Sequence, residues 1–212
     1  ERDRYHRFIF DKDRAHFLSA HVLVRMALSR YLDVPPAEWK FSANKYGRPE
    51  IAREIDAPPL RFNLSHTNGL VACIVAYDVD CGIDAEEIRP FPSHHSVARQ
   101  MFSQEECEWL AAAPADLQYD AFFCYWTLKE AYIKARGMGM SLSTTNFAFS
   151  IGNPNAVSVL FHAGPGNDED AWQFQLMRPT QQHVTALAIR LRPGMGRRVI
   201  KQTWLPGGGI ER

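Results

Sequence analysis

The spacing of apolar side chains alternates between helical and strand-like stretches along this chain. Leu18, Val22 and Met26 fall four apart and predict a helix over residues 13–32, ended by Asp33-Val34-Pro35-Pro36. Residues 40–63 are punctuated by Gly47-Arg48-Pro49 and Ala57-Pro58-Pro59 and read as loop and short strand. The run Leu70–Tyr77, rich in Val, Ile and Ala with one Cys, predicts a buried strand, and Asp78-Val79-Asp80 turns the chain into another at Gly82–Glu86. Residues 93–112 and 117–136 predict helices, with Ser103 as an N-cap supported by Glu106 three residues on. Then Asn146–Ile151, Val157–Phe161, Trp172–Met177 and Val184–Leu191 predict strands separated by Gly, Pro and Asn turns, and the Gly-rich tail from Pro206 is expected to be loose. A long helix followed by strands therefore occurs twice, before and after residue 80. The reading is an α+β chain with room for two lobes, whose halves share no sequence identity.

Composition narrows the class. With 212 residues and 46% hydrophobic content the chain can bury a real core. No apolar run reaches the roughly 18 residues needed to cross a bilayer, so no membrane partner is expected. Cys73, Cys81, Cys107 and Cys124 show no C-x-x-C spacing, which argues against zinc and for reduced thiols in a cytoplasmic enzyme. The zero net charge hides a pattern: 12 basic and 9 acidic side chains over residues 1–66, 3 and 11 over 67–130, and 9 and 4 over 131–212. An acidic middle between basic flanks fits a central cation approached by anions. No basic stripe interleaved with aromatics suggests nucleic acid.

The candidate chemistry lies in two clusters. On a helix, Trp126-Thr127-Leu128-Lys129-Glu130-Ala131-Tyr132-Ile133-Lys134 sets Trp126, Glu130 and Lys134 on one side. On a strand, Gly82-Ile83-Asp84-Ala85-Glu86 projects Asp84 and Glu86 from one face. Glu87 then points away from them. Two strand carboxylates facing a helical carboxylate, with lysines beside it, suit a hard divalent cation and substrate phosphates. Each cluster alone also describes a solvated surface; their order and separation carry the weight.

That pairing resembles the two-part motif of the 4′-phosphopantetheinyl transferases, (V/I)-G-(V/I)-D followed some forty residues later by W-x-x-K-E-(A/S)-x-x-K, with Cys81 departing from the preferred Val or Ile. Phe62-Asn63-Leu64-Ser65-His66 resembles the family's F-N-x-S-H element, and Tyr46-Gly47-Arg48-Pro49 its Y-G-K-P loop, with arginine replacing lysine. Phe102-Ser103-Gln104-Glu105-Glu106 resembles its F-S-x-x-E element, and Asp13 to Arg25 the opening helix of the surfactin-synthetase-activating type. Relatives of that type have a further segment before the position of Glu1.

The resemblance implies a monomer of two similar α+β lobes related by pseudo-twofold symmetry, with the active site between them. Residues 1–79 would form the lobe for the 3′-phosphate and adenine of coenzyme A. Residues 80–205 would form the metal lobe, leaving 206–212 as a tail. It implies magnesium-dependent transfer of 4′-phosphopantetheine from coenzyme A to a serine of an apo carrier protein, in fatty acid, polyketide, non-ribosomal peptide or lysine biosynthesis, with release of 3′,5′-adenosine bisphosphate. Asp84, Glu86 and Glu130 would hold magnesium. Lys134, and Lys129 beside it, would lie along the phosphates, and Glu130 or Glu106 would take the serine proton. His66, Ser65, Arg48, Arg4 and Tyr46 would contact coenzyme A. Arg99, Met101 and Phe102 are the carrier-docking segment to test. Two alternatives stay open: another magnesium enzyme of nucleotide or diphosphate chemistry, which leaves the F-N-x-S-H and Y-G-x-P elements unexplained, and a carrier-binding module without catalysis.

Overall fold

A computed structural model describes residues 2–139, 142–153, 156–162, 171–192, 198–205 and 209–211. Helices α1 (Arg2–Arg7) and α2 (Asp11–Leu28) open the chain, followed by the short pair β1 (Phe41–Ala43) and β2 (Pro49–Ile51) and by the antiparallel hairpin β3 (Leu60–Thr67) and β4 (Leu70–Tyr77). Strand β5 (Cys81–Glu87) leads into α3 (His94–Met101), α4 (Gln104–Ala112) and the long α5 (Gln118–Arg136). The remaining strands are β6 (Phe147–Asn153), β7 (Ala156–Phe161), β8 (Trp172–Thr180), β9 (His183–Arg190), β10 (Thr203–Leu205) and β11 (Gly209–Glu211). The fold is α+β in two lobes, each a long helix on antiparallel strands: α2 on β3–β4, and α5 on the three-stranded sheet β5–β9–β8.

Each lobe has its own core. Val24, Leu28, Trp39 and Phe62 form one; the other gathers around α5 and includes Phe122, Leu128, Tyr132, Phe147, Phe149 and Phe174. A smaller cluster of Val79, Cys81, Leu187 and Ile189 packs with Ile74 and Ala76 of β4. On α2 the buried stripe is Ala20, Val24 and Leu28, at 5%, 1% and 0% exposure, whereas Leu18, Val22 and Met26 are 53%, 45% and 39% exposed. Both stripes repeat every four residues but lie half a turn apart, so periodicity predicts the helix and cannot choose its inner face.

The helix expected over 93–112 is two helices. They break at Phe102 and Ser103, where the Ser103 hydroxyl accepts the Glu106 N–H and the Glu106 carboxylate accepts the Ser103 N–H. Phe102, expected at a docking surface, is 2% exposed and belongs to the core; Arg99 is exposed. Helix α5 ends at Gly137, whose φ of 63° suits the left-handed C-terminal cap. Residues 209–211 pair as a strand with 203–205 where a loose tail from Pro206 was expected, and 206–208 and 212 lie outside the described residues.

Gly82 sets how closely α5 lies on β5. A Cβ there would stand 2.1 Å from the Ala131 carbonyl oxygen and 2.5 Å from the Ala135 nitrogen, both backbone atoms with no rotamer to give way. Gly82→Ala is therefore expected to destabilise by at least the roughly 1–3 kcal/mol of an overpacked core and to displace α5 from β5. Chemical denaturation checks it; an unchanged midpoint would show that the helix slides freely.

Candidate active site between helix α5 and strand β5

The even-numbered residues of β5 face α5. Gly82 lies under Ala131 and Ala135, Asp84 meets Lys134, and Glu86 meets Trp126. Strand and helix run in opposite directions, so Trp126, Glu130 and Lys134, one helical turn apart, line up along the Asp84–Glu86 face. Asp84 is 4% exposed. Its Oδ1 accepts the Lys134 ammonium at 2.6 Å and the Ser65 hydroxyl at 2.8 Å, and Lys134 also donates to Ser65 Oγ at 3.0 Å. Its Oδ2 is buried without a hydrogen-bond partner among the described residues. The Trp126 indole N–H donates to Glu86 Oε1 at 3.1 Å, which makes this tryptophan a tether for a site carboxylate as well as a packing residue.

Burial, and after it the charge of Asp84, holds Glu86 and Glu130 back from ionising. Burial first, then the charge of Asp84, pushes Glu86 up to about 7, against weaker pulls from Trp126, Arg89 and Lys134. Glu130 is also raised, by burial and then by Asp84, with Lys134 opposing. His66, exposed overall but with part of its ring covered, is lowered first by that partial burial, then by His16 and Lys134, with Asp13 and Asp84 opposing. Its ring centroid lies 5.6 Å from that of His16.

Among the described residues no group of three His, Cys, Asp or Glu side chains is spaced to hold a metal ion. The donor chemistry nevertheless fits a hard divalent cation: an unpartnered buried carboxylate oxygen lies in the field of two more carboxyls short of positive charge. A raised folded pKa has a definite consequence for stability. Glu86 favours the folded state below its unfolded pKa of 4.5, and that contribution is lost as pH rises through about 7. Melting temperatures measured without divalent ions should fall across this window, and Glu86→Gln should flatten the fall. An equally steep fall in the variant would assign the effect elsewhere.

Three expected site residues are structural instead. Lys129 is 2% exposed; its Nζ reaches Glu106 Oε2 at 2.8 Å and donates to the carbonyls of Thr144 at 2.7 Å and Phe147 at 2.8 Å, leaving it no reach to a phosphate. Glu106 is 0% exposed: Oε2 also accepts the Ser103 N–H, and Oε1 accepts the Phe149 N–H. Both oxygens are engaged inside the protein, so Glu106 is not placed to act as a base. Arg48 is buried and donates to the carbonyls of Ala135 at 2.9 Å and Cys81 at 3.1 Å, binding the lobes together instead of facing a phosphate. Ser65 is buried against Asp84, His66 and Tyr46 are exposed, and the side chain of Arg4 lies outside the described residues.

The sequence profile of the 4′-phosphopantetheinyl transferase superfamily matches residues 80–188, a span that holds Asp84, Glu86, Glu130 and Lys134. The chain belongs to this superfamily. The profile described as 4′-phosphopantetheinyl transferase, N-terminal, matches residues 1–78. The 4′-phosphopantetheinyl transferase HetI of Nostoc sp. is 33% identical over 187 residues, 88% of this chain and 75% of the relative. The 4′-phosphopantetheinyl transferase Sfp of Bacillus subtilis is 34% identical over 160 residues, 75% and 68% of the two chains. The L-aminoadipate-semialdehyde dehydrogenase-phosphopantetheinyl transferase of Schizosaccharomyces pombe is 31% identical over 174 residues, 76% and 63% of the two. Among the described residues no helix is long and apolar enough to cross a membrane.

Proposed function

We propose that this transferase moves 4′-phosphopantetheine from coenzyme A to a serine hydroxyl of an apo carrier protein, as a monomer, with 3′,5′-adenosine bisphosphate leaving. The observation that carries the site assignment is Asp84, buried with one oxygen unpartnered and the other on Lys134, beside two carboxyls held above their ordinary pKa. Asp84, Glu86 and Glu130 would hold magnesium, which supplies charge neutralisation on the pyrophosphate as the bond breaks.

The protein's own groups do the rest. Lys134 lies along the transferring phosphate, guided by Asp84 and Ser65. With Glu106 buried, Glu130 is the remaining acceptor for the serine proton, one helical turn from Lys134 on the same side of α5. The serine Oγ–P bond forms, the P–O bond to the bisphosphate breaks, and the bisphosphate leaves with that electron pair. This reading is tested by quantifying 3′,5′-adenosine bisphosphate against holo carrier. One-to-one formation that stops on chelation supports it, and holo carrier without bisphosphate overturns it.

His66 is the 3′-phosphate contact in this reading, since a bound phosphate would reverse the depression of its pKa. His66→Ala should raise the KM for coenzyme A by the equivalent of about 1.5–3 kcal/mol, the range of a charge-assisted hydrogen bond. The penalty should vanish with dephospho-coenzyme A; an equal penalty for both substrates would place His66 elsewhere.

A further inference from the structure

Among the described residues strand β5 lies at the edge of its sheet, paired on one side only, with β9. The backbone groups of its odd-numbered residues point the other way, and side chains from the N-terminal lobe meet them. The N–H of Ile83 donates to Asn63 Oδ1 at 2.9 Å, that of Ala85 to Ser65 Oγ at 3.2 Å, and that of Glu87 to Thr67 Oγ1 at 3.2 Å. Asn63, Ser65 and Thr67 alternate along β3, so the three contacts advance two residues at a time on both strands.

We propose that Asn63, Ser65 and Thr67 form a side-chain ladder that stands in for a neighbouring strand and so positions Asp84 and Glu86 for the reaction. Asp84 sits between the contacts at 83 and 85, and Glu86 between those at 85 and 87. A backbone pairing would close the edge equally well, but it would offer nothing to the site. The Ser65 hydroxyl does both: it accepts the Ala85 N–H while donating to Asp84 and accepting from Lys134. These are positioning residues, and their assignment rests on the function proposed above.

Thr67 gives the cleanest test, because its bond to the Glu87 N–H involves neither site carboxylate. Thr67→Val keeps the shape and removes the acceptor, and Thr67→Ser keeps the hydroxyl. Amide exchange followed by NMR should be about tenfold or more faster at Glu87 in the valine variant and near normal in the serine variant. Binding of manganese, followed by electron paramagnetic resonance without coenzyme A or carrier, should weaken about tenfold in Thr67→Val and recover in Thr67→Ser. Unchanged exchange at Glu87 would refute the ladder, and faster exchange with unchanged manganese affinity would refute its positioning role. If the unaltered protein bound no manganese, the functional reading would fall, and the exchange rates would still decide the ladder.

Discussion

Asp84→Ala and Glu130→Ala are each expected to lower phosphopantetheine transfer by at least about a hundredfold, with the protein still folded, a loss comparable to removing one preorganised electrostatic contact from an active site. Asp84 orients Lys134 and carries the unpartnered oxygen that would meet the cation. In Asp84→Ala burial still raises Glu86 and Glu130, but the additional push from the Asp84 charge is gone, so both carboxyls ionise more readily. Lys134, whose side chain is 28% exposed, turns to water without a buried unpaired charge being left behind. The melting temperature should therefore hold while turnover collapses. A folded Asp84→Ala protein with near-normal turnover in magnesium would remove Asp84 from the site.

Lys129→Met is expected to cost about 3–5 kcal/mol of stability, the range for breaking a buried ion pair from one side. Both partners are almost wholly out of water, at side-chain exposures of 3% and 0%. Removing the ammonium leaves the Glu106 carboxylate charged beside two backbone N–H groups, and strips the Thr144 and Phe147 carbonyls of their donor. Adding Glu106→Gln removes the uncompensated charge, so the double variant should be more stable than Lys129→Met alone. Urea denaturation measures both. If Lys129→Met matched the unaltered protein in stability but shifted the pH dependence of turnover, Glu106 would be a base after all.

Much of this organisation was legible because it depends on local pattern. Leu70–Tyr77 appears as a strand with the expected limits, though half-buried over residues 70–76 where a buried strand was expected, and the expected 117–136 helix as Gln118–Arg136. The i, i+4 spacing on α5 and the i, i+2 spacing on β5 bring Glu86 to Trp126 and Asp84 to Lys134. What was not legible depends on packing against distant parts of the chain. Nothing in the sequence near Arg48 says that it reaches carbonyls 33 and 87 positions away. Nor does it say that Lys129, one residue before Glu130, faces the core: neighbours on a helix diverge by about 100°, and only packing chooses between them. The F-N-x-S-H element suggested substrate contacts, a role the proposed function keeps for His66, but it did not show that Asn63, Ser65 and Thr67 alternate along β3 to meet backbone N–H groups of β5. On α2 the inner face was open in the same way, because two apolar stripes lie half a turn apart.

The central claim is that this chain modifies a carrier serine with phosphopantetheine, and intact-mass spectrometry of apo carriers incubated with the protein, coenzyme A and magnesium tests it most directly. A gain of one phosphopantetheine, absent when the carrier serine is replaced by alanine and absent with the Asp84→Ala protein, is the expected result. Carriers of every tested class left at their apo mass by a folded, unaltered protein would contradict it.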